Sequence, residues 1–199
     1  MRIFVAGGSG VIGMRLVPLL VTAGHDVAAM TRRPGNAAEL SARGAKPIVC
    51  DAYDAAGLTS AVTGFAPDAV VHQLTDLPDD PAQLGARREA NARIRVAGTD
   101  NLIAAARAAG VTRLVVQSIA WLIDGRRPPS VEHLESQARA AGGVVLRYGQ
   151  WYGAGTYHAA APPPPCVHVD TAARLTVDAL DLPSGTYEVL DAGIAPAPD

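Results

Sequence analysis

The chain has 199 residues, 49% of them hydrophobic and 18% charged, with a formal net charge of −2 and a pI near 6.2. These values fit one soluble folded domain and exclude a disordered segment, a collagen repeat and a disulfide scaffold. A charge so close to zero leaves no basic footprint for nucleic acid, no Lys/Arg cluster flanks an apolar run as a membrane surface would require, and no uncharged apolar window has the length of a membrane span. The expected partner is therefore a small molecule. Cys50 and Cys166 stand far apart in no metal-ligand spacing, which points to a reducing, cytoplasmic compartment and to no metal.

In chain order, residues 3–6 predict a first buried strand, and residues 11–23 a helix in which Pro18 removes one backbone donor. Residues 26–30, 48–50 and 69–73 predict the next three strands. Residues 81–109 predict one long helix stopped by Gly110, with Ile94, Ala97, Leu102 and Ala105 close to one face. Strand 114–117 follows. A short helix capped by Ser130 then carries Val131, Leu134, Ala138 and Ala141 on a stripe and ends at Gly142-Gly143. Strand 144–147, a helix over 170–180 capped by Asp170, and strand 187–190 complete the series. Residues 159–165, three alanines and four prolines, cannot be helix or central strand and read as an extended surface connection. Continuous apolar runs such as Ala69-Val70-Val71 and Leu114-Val115-Val116 belong in the centre of a parallel sheet covered on both faces. The fold class is α/β, a doubly wound parallel, Rossmann-like sheet in a single domain.

Gly7-Gly8-Ser9-Gly10-Val11-Ile12-Gly13 follows the first strand directly and opens the first helix. Gly7 suits a tight turn, Gly10 lets backbone amides approach a pyrophosphate, and Gly13 permits close helix-to-strand contact, with the helix N-terminus facing the anion. The plain alternative is a strand-to-helix turn without ligand. Position and alternation favour dinucleotide binding, with Gly7, Ser9, Gly10, Val11, Ile12 and Gly13 as the phosphate loop. At the end of the second strand, where an acid would grip the ribose of NAD, stand Thr31-Arg32-Arg33. Two guanidinium groups suit a 2′-phosphate, so NADP is the expected cofactor, against the alternative of a solvated basic loop. Asp51 and Ala52 after the third strand are expected beside the adenine, with Asp51 otherwise a helix cap, and His72, Gln73 and Leu74 at the end of the fourth strand are expected to line the cofactor, with His72 otherwise a satisfied core histidine. On this reading residues 1–147 are the dinucleotide-binding core and 148–199 a reduced substrate-region segment of the same domain.

Further stretches match in order and spacing: Val70-Val71-His72, Asn91 with Gly98-Thr99-Asp100-Asn101-Leu102, Val115-Val116-Gln117-Ser118, Leu146-Arg147-Tyr148-Gly149-Gln150-Trp151-Tyr152-Gly153 with Gly155-Thr156, and Val167-His168-Val169-Asp170. With the glycine triplet they span most of the chain, which resembles the short-chain dehydrogenase/reductase superfamily in its extended or atypical branch of NAD(P)-dependent epimerase/dehydratase-like proteins. The resemblance implies a Ser or Thr at the end of strand five and a Tyr-x-x-x-Lys pair on the next helix, the tyrosine passing a proton while hydride moves. Here the sole lysine is Lys46, with Ala42 four residues before it, so that pair is absent. By the family's spacing its members would fall near Arg127 and Val131. Only 52 residues follow Arg147, fewer than extended members spend on a substrate lobe, so the substrate site is expected to be open or completed by a second subunit.

Candidates for the missing chemistry are Ser118 as a hydrogen-bond donor to substrate oxygen, His133 on the short helix, otherwise a surface histidine, and Tyr152 in the loop after strand six, otherwise a packing aromatic. His168 and Asp170 with Ser118 form no hydrolase triad, because no G-x-S-x-G elbow exists. The leading expectation is an NADP(H)-dependent reductase or epimerase-like enzyme with an unconventional proton donor. The alternatives are a nonredox isomerase, dehydratase or cyclase on the same fold, and a noncatalytic NADP-binding sensor or scaffold. A homodimer through the long helix and the short one after it is expected from the small Ala97/Ala105 side.

Overall fold

The computed structural model describes residues 1–198. Its elements are β1 (Arg2–Ala6), α1 (Gly13–Thr22), β2 (Asp26–Thr31), α2 (Ala37–Ala42), β3 (Lys46–Val49), α3 (Ala55–Phe65), β4 (Ala69–His72), α4 (Arg88–Arg93), α5 (Thr99–Ala108), β5 (Arg113–Ile119), α6 (Pro129–Ala140), β6 (Val144–Tyr148), β7 (Gln150–Tyr152), β8 (Cys166–His168), α7 (Val169–Asp178), β9 (Gly185–Leu190) and β10 (Gly193–Pro196). Eight strands form one sheet in the order β10-β9-β6-β5-β4-β1-β2-β3. Every pairing in it is parallel except β9 with β10 at the edge. The order reverses between β1 and β4, and such a switch point opens a crevice outside the C-terminal ends of the strands.

Alternate residues of each strand feed two cores. Ile3, Val5, Val71, Val115 and Leu146 pack with Leu16 and Leu20 of α1 and Ala172 and Ala173 of α7. Phe4, Val70, Val116 and Val145 pack on the other side with Leu58 of α3, Leu102 of α5 and Leu134 of α6. Burying both faces of the central strands is what made them legible as unbroken apolar runs.

The expected long helix over 81–109 is divided. Asp80 caps a single 3-10 turn, Pro81–Gln83, by accepting from the amide of Ala82. Helix resumes at α4, widens into a π-helical turn over Ile94–Gly98 and continues as α5. Ser130 is not the cap of α6: Pro128 holds that position and Pro129, with its preset φ, opens the helix. Asp170 is likewise inside α7, capped instead by the His168 imidazole, which accepts from the amide of Asp170. The strands β7 and β8 pair beyond the main sheet, joined by residues 153–165. The proline run within that connection is neither helix nor strand.

Candidate functional site

The glycine loop wraps the C-terminal end of β1. Gly7 has φ +88°, and a Cβ on it would lie 2.5 Å from the carbonyl oxygen of Gln73; a Cβ on Gly13 would lie 2.4 Å from the carbonyl oxygen of Gly7. These two glycines hold the loop against β4 and α1 against the loop. Gly10 differs, since a Cβ there meets only the Gly7 carbonyl oxygen, at 3.4 Å. The amides of Ser9, Val11, Ile12 and Gly13 donate to no partner among the described residues. No side chain caps α1 and no acid stands in its first turn. Unpaired amides at an uncapped helix N-terminus form an anion cradle of the kind a pyrophosphate fills. Val11 is exposed, Ile12 is buried, and the Ser9 hydroxyl bonds that of Thr31 at 2.8 Å, tying the loop to β2.

Around the crevice, Arg32 donates to Asp76 at 2.9 Å, and Arg87 donates to the same carboxylate oxygen at 2.7 Å. Arg33 is exposed and its guanidinium has no partner among the described residues. Asp51 accepts from the amide of Tyr53 at 2.9 Å, an Asx turn; the helix cap is Asp54, which accepts from Gly57. Buried Ala52 gives its carbonyl to Asn101, fixing the third-strand loop to α5. His72 is fully buried, and burial is the main force pulling its pKa down to about 4. Its Nδ1 accepts from the amide of Leu74, so the neutral ring carries its proton on Nε2 and donates to the Thr99 hydroxyl at 2.8 Å. Gln73 donates weakly to Tyr148, and its side-chain oxygen is buried without a partner.

The three candidate catalytic side chains are not brought together; each is held by a different carboxylate. Ser118 donates to Glu135 at 2.5 Å, His133 pairs with Asp100 at 2.7 Å across the outer faces of α6 and α5, and Tyr152 donates to Asp191 at 3.0 Å. That last bond is the first cause holding the Tyr152 phenol above its ordinary pKa.

Glu135 escaped the sequence reading and is the hub of the site's interior. It is 2% exposed. Arg147, the register neighbour of Ser118, grips it through two hydrogen bonds of 2.9 and 2.8 Å. Burial alone would push its carboxyl up, but the bonds from Arg147 and Ser118 and the Arg charges hold it below its ordinary value. Arg127 lies 3.6 Å from it and donates to the carbonyl of Ile119 at 2.6 Å, which fixes a guanidinium at the end of β5. A signal was present: Val131, Leu134, Glu135 and Ala138 fall at i, i+3, i+4 and i+7, so a glutamate occupies an apolar stripe. Asp76, Arg87 and Arg95 also went unread, because no periodicity marks them.

Among the described residues no helix is long and apolar enough to cross a membrane, and no group of three or more His, Cys, Asp or Glu side chains could hold a metal ion.

A family profile described as NAD(P)H-binding matches residues 7–142, the span that holds the unpaired amides. The chain belongs to this family. A 3-diazoavenalumate denitrifying reductase from a Streptomyces species is 38% identical, covering 93% of this chain and 65% of that protein. A 2-alkyl-3-oxoalkanoate reductase from Stenotrophomonas maltophilia is 35% identical over 75% of this chain and 40% of its own. The chain thus spans less than two thirds of either relative's length. In fold, it is similar to a Thermus thermophilus UDP-glucose 4-epimerase solved with NAD, at TM-score 0.76 and 22% identity, covering 98% of this chain and 79% of that one. The Bordetella bronchiseptica enzyme WbmG, also solved with NAD, matches at TM-score 0.74 and 22% identity over 98% and 74%.

Proposed function

We propose that this protein is an NADPH-dependent reductase whose hydride acceptor needs no proton from the enzyme, and that a diazo or diazonium group on an organic substrate is that acceptor. The observation that carries the proposal is the pairing of two facts: α6 holds neither tyrosine nor lysine, and a guanidinium, Arg127, is anchored just before it at the end of β5. A guanidinium donates hydrogen bonds and charge but does not surrender its proton near neutral pH. Ser118, bound to a buried carboxylate, is no acid either, and His133 and Tyr152 are each held by a separate carboxylate. Reduction of a ketone ends in an alkoxide that must be protonated; reduction of an arenediazonium does not. Hydride adds to the terminal nitrogen of ArN₂⁺, giving the neutral diazene ArN=NH, which loses N₂ to leave ArH, the N–H proton being exchanged with water on the way. The denitrifying reductase among the relatives is named for a diazo compound.

Bound NADPH supplies the hydride. The amides of Ser9, Val11, Ile12 and Gly13 would hold its pyrophosphate, Arg33 and the remaining donors of Arg32 its 2′-phosphate, and Asp51 with Ala52 its adenine. His72, Gln73 and Leu74 would line it, with the neutral imidazole kept in place by Thr99. Glu135 positions Ser118 and Arg127.

The test is NADPH consumption with benzenediazonium against a panel of ketones, with the benzene and N₂ released measured against the NADPH oxidised. One benzene and one N₂ per NADPH oxidised, at a rate that rises with enzyme concentration, are expected. Ketone turnover without diazonium turnover overturns the proposal, and product formation without nicotinamide moves the protein to the isomerase or dehydratase class.

A further inference from the structure

Arg95 lies in the π-helical turn and is only partly exposed, yet it makes no hydrogen bond and no ion pair among the described residues. Its neighbours on the helix define where it faces. Four residues before it, Asn91 accepts from the amide of Asp76; four residues after it, Thr99 bonds His72. Three residues after it, a Cβ on Gly98 would lie in ordinary contact, 3.6 Å, with the Leu74 side chain. Residues three and four apart share a helix face, so Arg95 belongs to the face turned toward residues 72–76, at the C-terminal end of β4. Its charge reaches His72, where it adds to the lowering of the imidazole pKa. Burial pulls the guanidinium itself down to about 10.

Three carboxylates of this region that are drawn into side-chain contacts are already taken. Asp76 is shared by Arg32 and Arg87, Asp100 pairs with His133, and Glu135 is enclosed by Arg147, Arg139 and Ser118. An arginine drawn partly out of water without a counter-charge is costly, and an anion that arrives from outside removes the cost. The phosphates of a dinucleotide already have the unpaired amides of the glycine loop and the Arg32-Arg33 pair.

We propose that Arg95 is the specificity residue that receives an anionic group of the substrate, a carboxylate, at the β4 end of the crevice. This rests on the crevice being the substrate site of the reading above. A planar guanidinium takes a carboxylate through two parallel hydrogen bonds, which orients the substrate as well as retaining it.

The test uses the whole chain saturated with NADP⁺ and two calorimetric probes, 4-coumarate and its methyl ester. Expected is binding of the carboxylate by wild type, weakened about 10- to 100-fold in Arg95→Gln and partly restored in Arg95→Lys. The ester should bind weakly to all three, and NADP⁺ affinity should not change. Steady-state kinetics with 4-carboxybenzenediazonium should show the loss in KM more than in kcat, a split that a folding defect does not produce. Equal binding of the carboxylate by wild type and Arg95→Gln, or no binding by wild type, overturns the proposal. A loss of NADP⁺ affinity in Arg95→Gln overturns it in favour of a cofactor phosphate. Carboxylate binding that depends on Arg95, found together with no diazonium turnover, keeps this inference and removes the hydride-acceptor reading alone.

Discussion

Replacing Gly10 with alanine separates the anion cradle from the fold. A Cβ there meets only the Gly7 carbonyl oxygen, at 3.4 Å, and Gly10 does not have a positive φ, so the unliganded protein should be unchanged or gain up to about 1 kcal/mol from a less free unfolded chain. NADPH at 100 times its dissociation constant stabilises the wild type by about 2.7 kcal/mol. At 2–4 °C per kcal/mol for a chain of this size, that is a rise in Tm of about 5–11 °C. If the methyl group occupies the space the pyrophosphate needs and weakens binding about 100-fold, the same ligand concentration leaves only about 0.4 kcal/mol, a shift near 1 °C. Gly13→Ala is the contrast, because its Cβ would lie 2.4 Å from the Gly7 carbonyl oxygen and must damage the loop itself. Differential scanning fluorimetry with and without NADPH checks both. A Gly10→Ala protein that keeps the full ligand shift refutes the assignment of the cradle.

Arg32→Ala with Arg33→Ala should weaken NADPH about 10- to 100-fold by calorimetry and leave NADH unchanged; equal losses for both nucleotides would show that the pair does not read the 2′-phosphate. Glu135→Ala leaves the Arg147 and Arg127 charges uncompensated and should cost about 3–5 kcal/mol, or about 6–20 °C in Tm; a change under about 2 °C in thermal melts would show the network to be idle. The folded pKa of His72, about 4, lies below its ordinary 6.5, so as pH falls through that interval the unfolded chain takes up a proton the folded one does not. Stability should therefore be full above about pH 6.5 and fall by about 3 kcal/mol by about pH 4. Denaturant melts of His72→Gln should lack that share of the pH dependence.

The central strands and the glycine loop were legible because burial on two faces and the needs of a tight turn leave strong local marks. α3 was not, since Gly57, Gly64, Thr59 and Thr63 dilute its helical signal. β7 and β8, three residues each, exist through their pairing and not through propensity. The π-helical turn inside the expected long helix has no sequence period of its own. The site shows the same division. Gly7, Gly10 and Gly13 announce a phosphate loop, whereas Glu135 of α6 becomes a hub only when Ser118 and Arg147 arrive beside it from β5 and β6. Arg95 is visible in the sequence as one arginine among sixteen. Its distinction, partial burial without a partner, is a property of three dimensions.

Lys46, the only lysine, is the first residue of β3, at the edge of the sheet and at the end opposite to the crevice. An acylating or aldehyde reagent should therefore mark the lysine side chain there and the Met1 α-amine, which also lies at the N-terminal ends of the strands, and leave the crevice unlabelled. The same separation would spare the proposed electrophilic substrate, were it bound at the β4 and β5 strand ends, from self-quenching capture by a lysine amine.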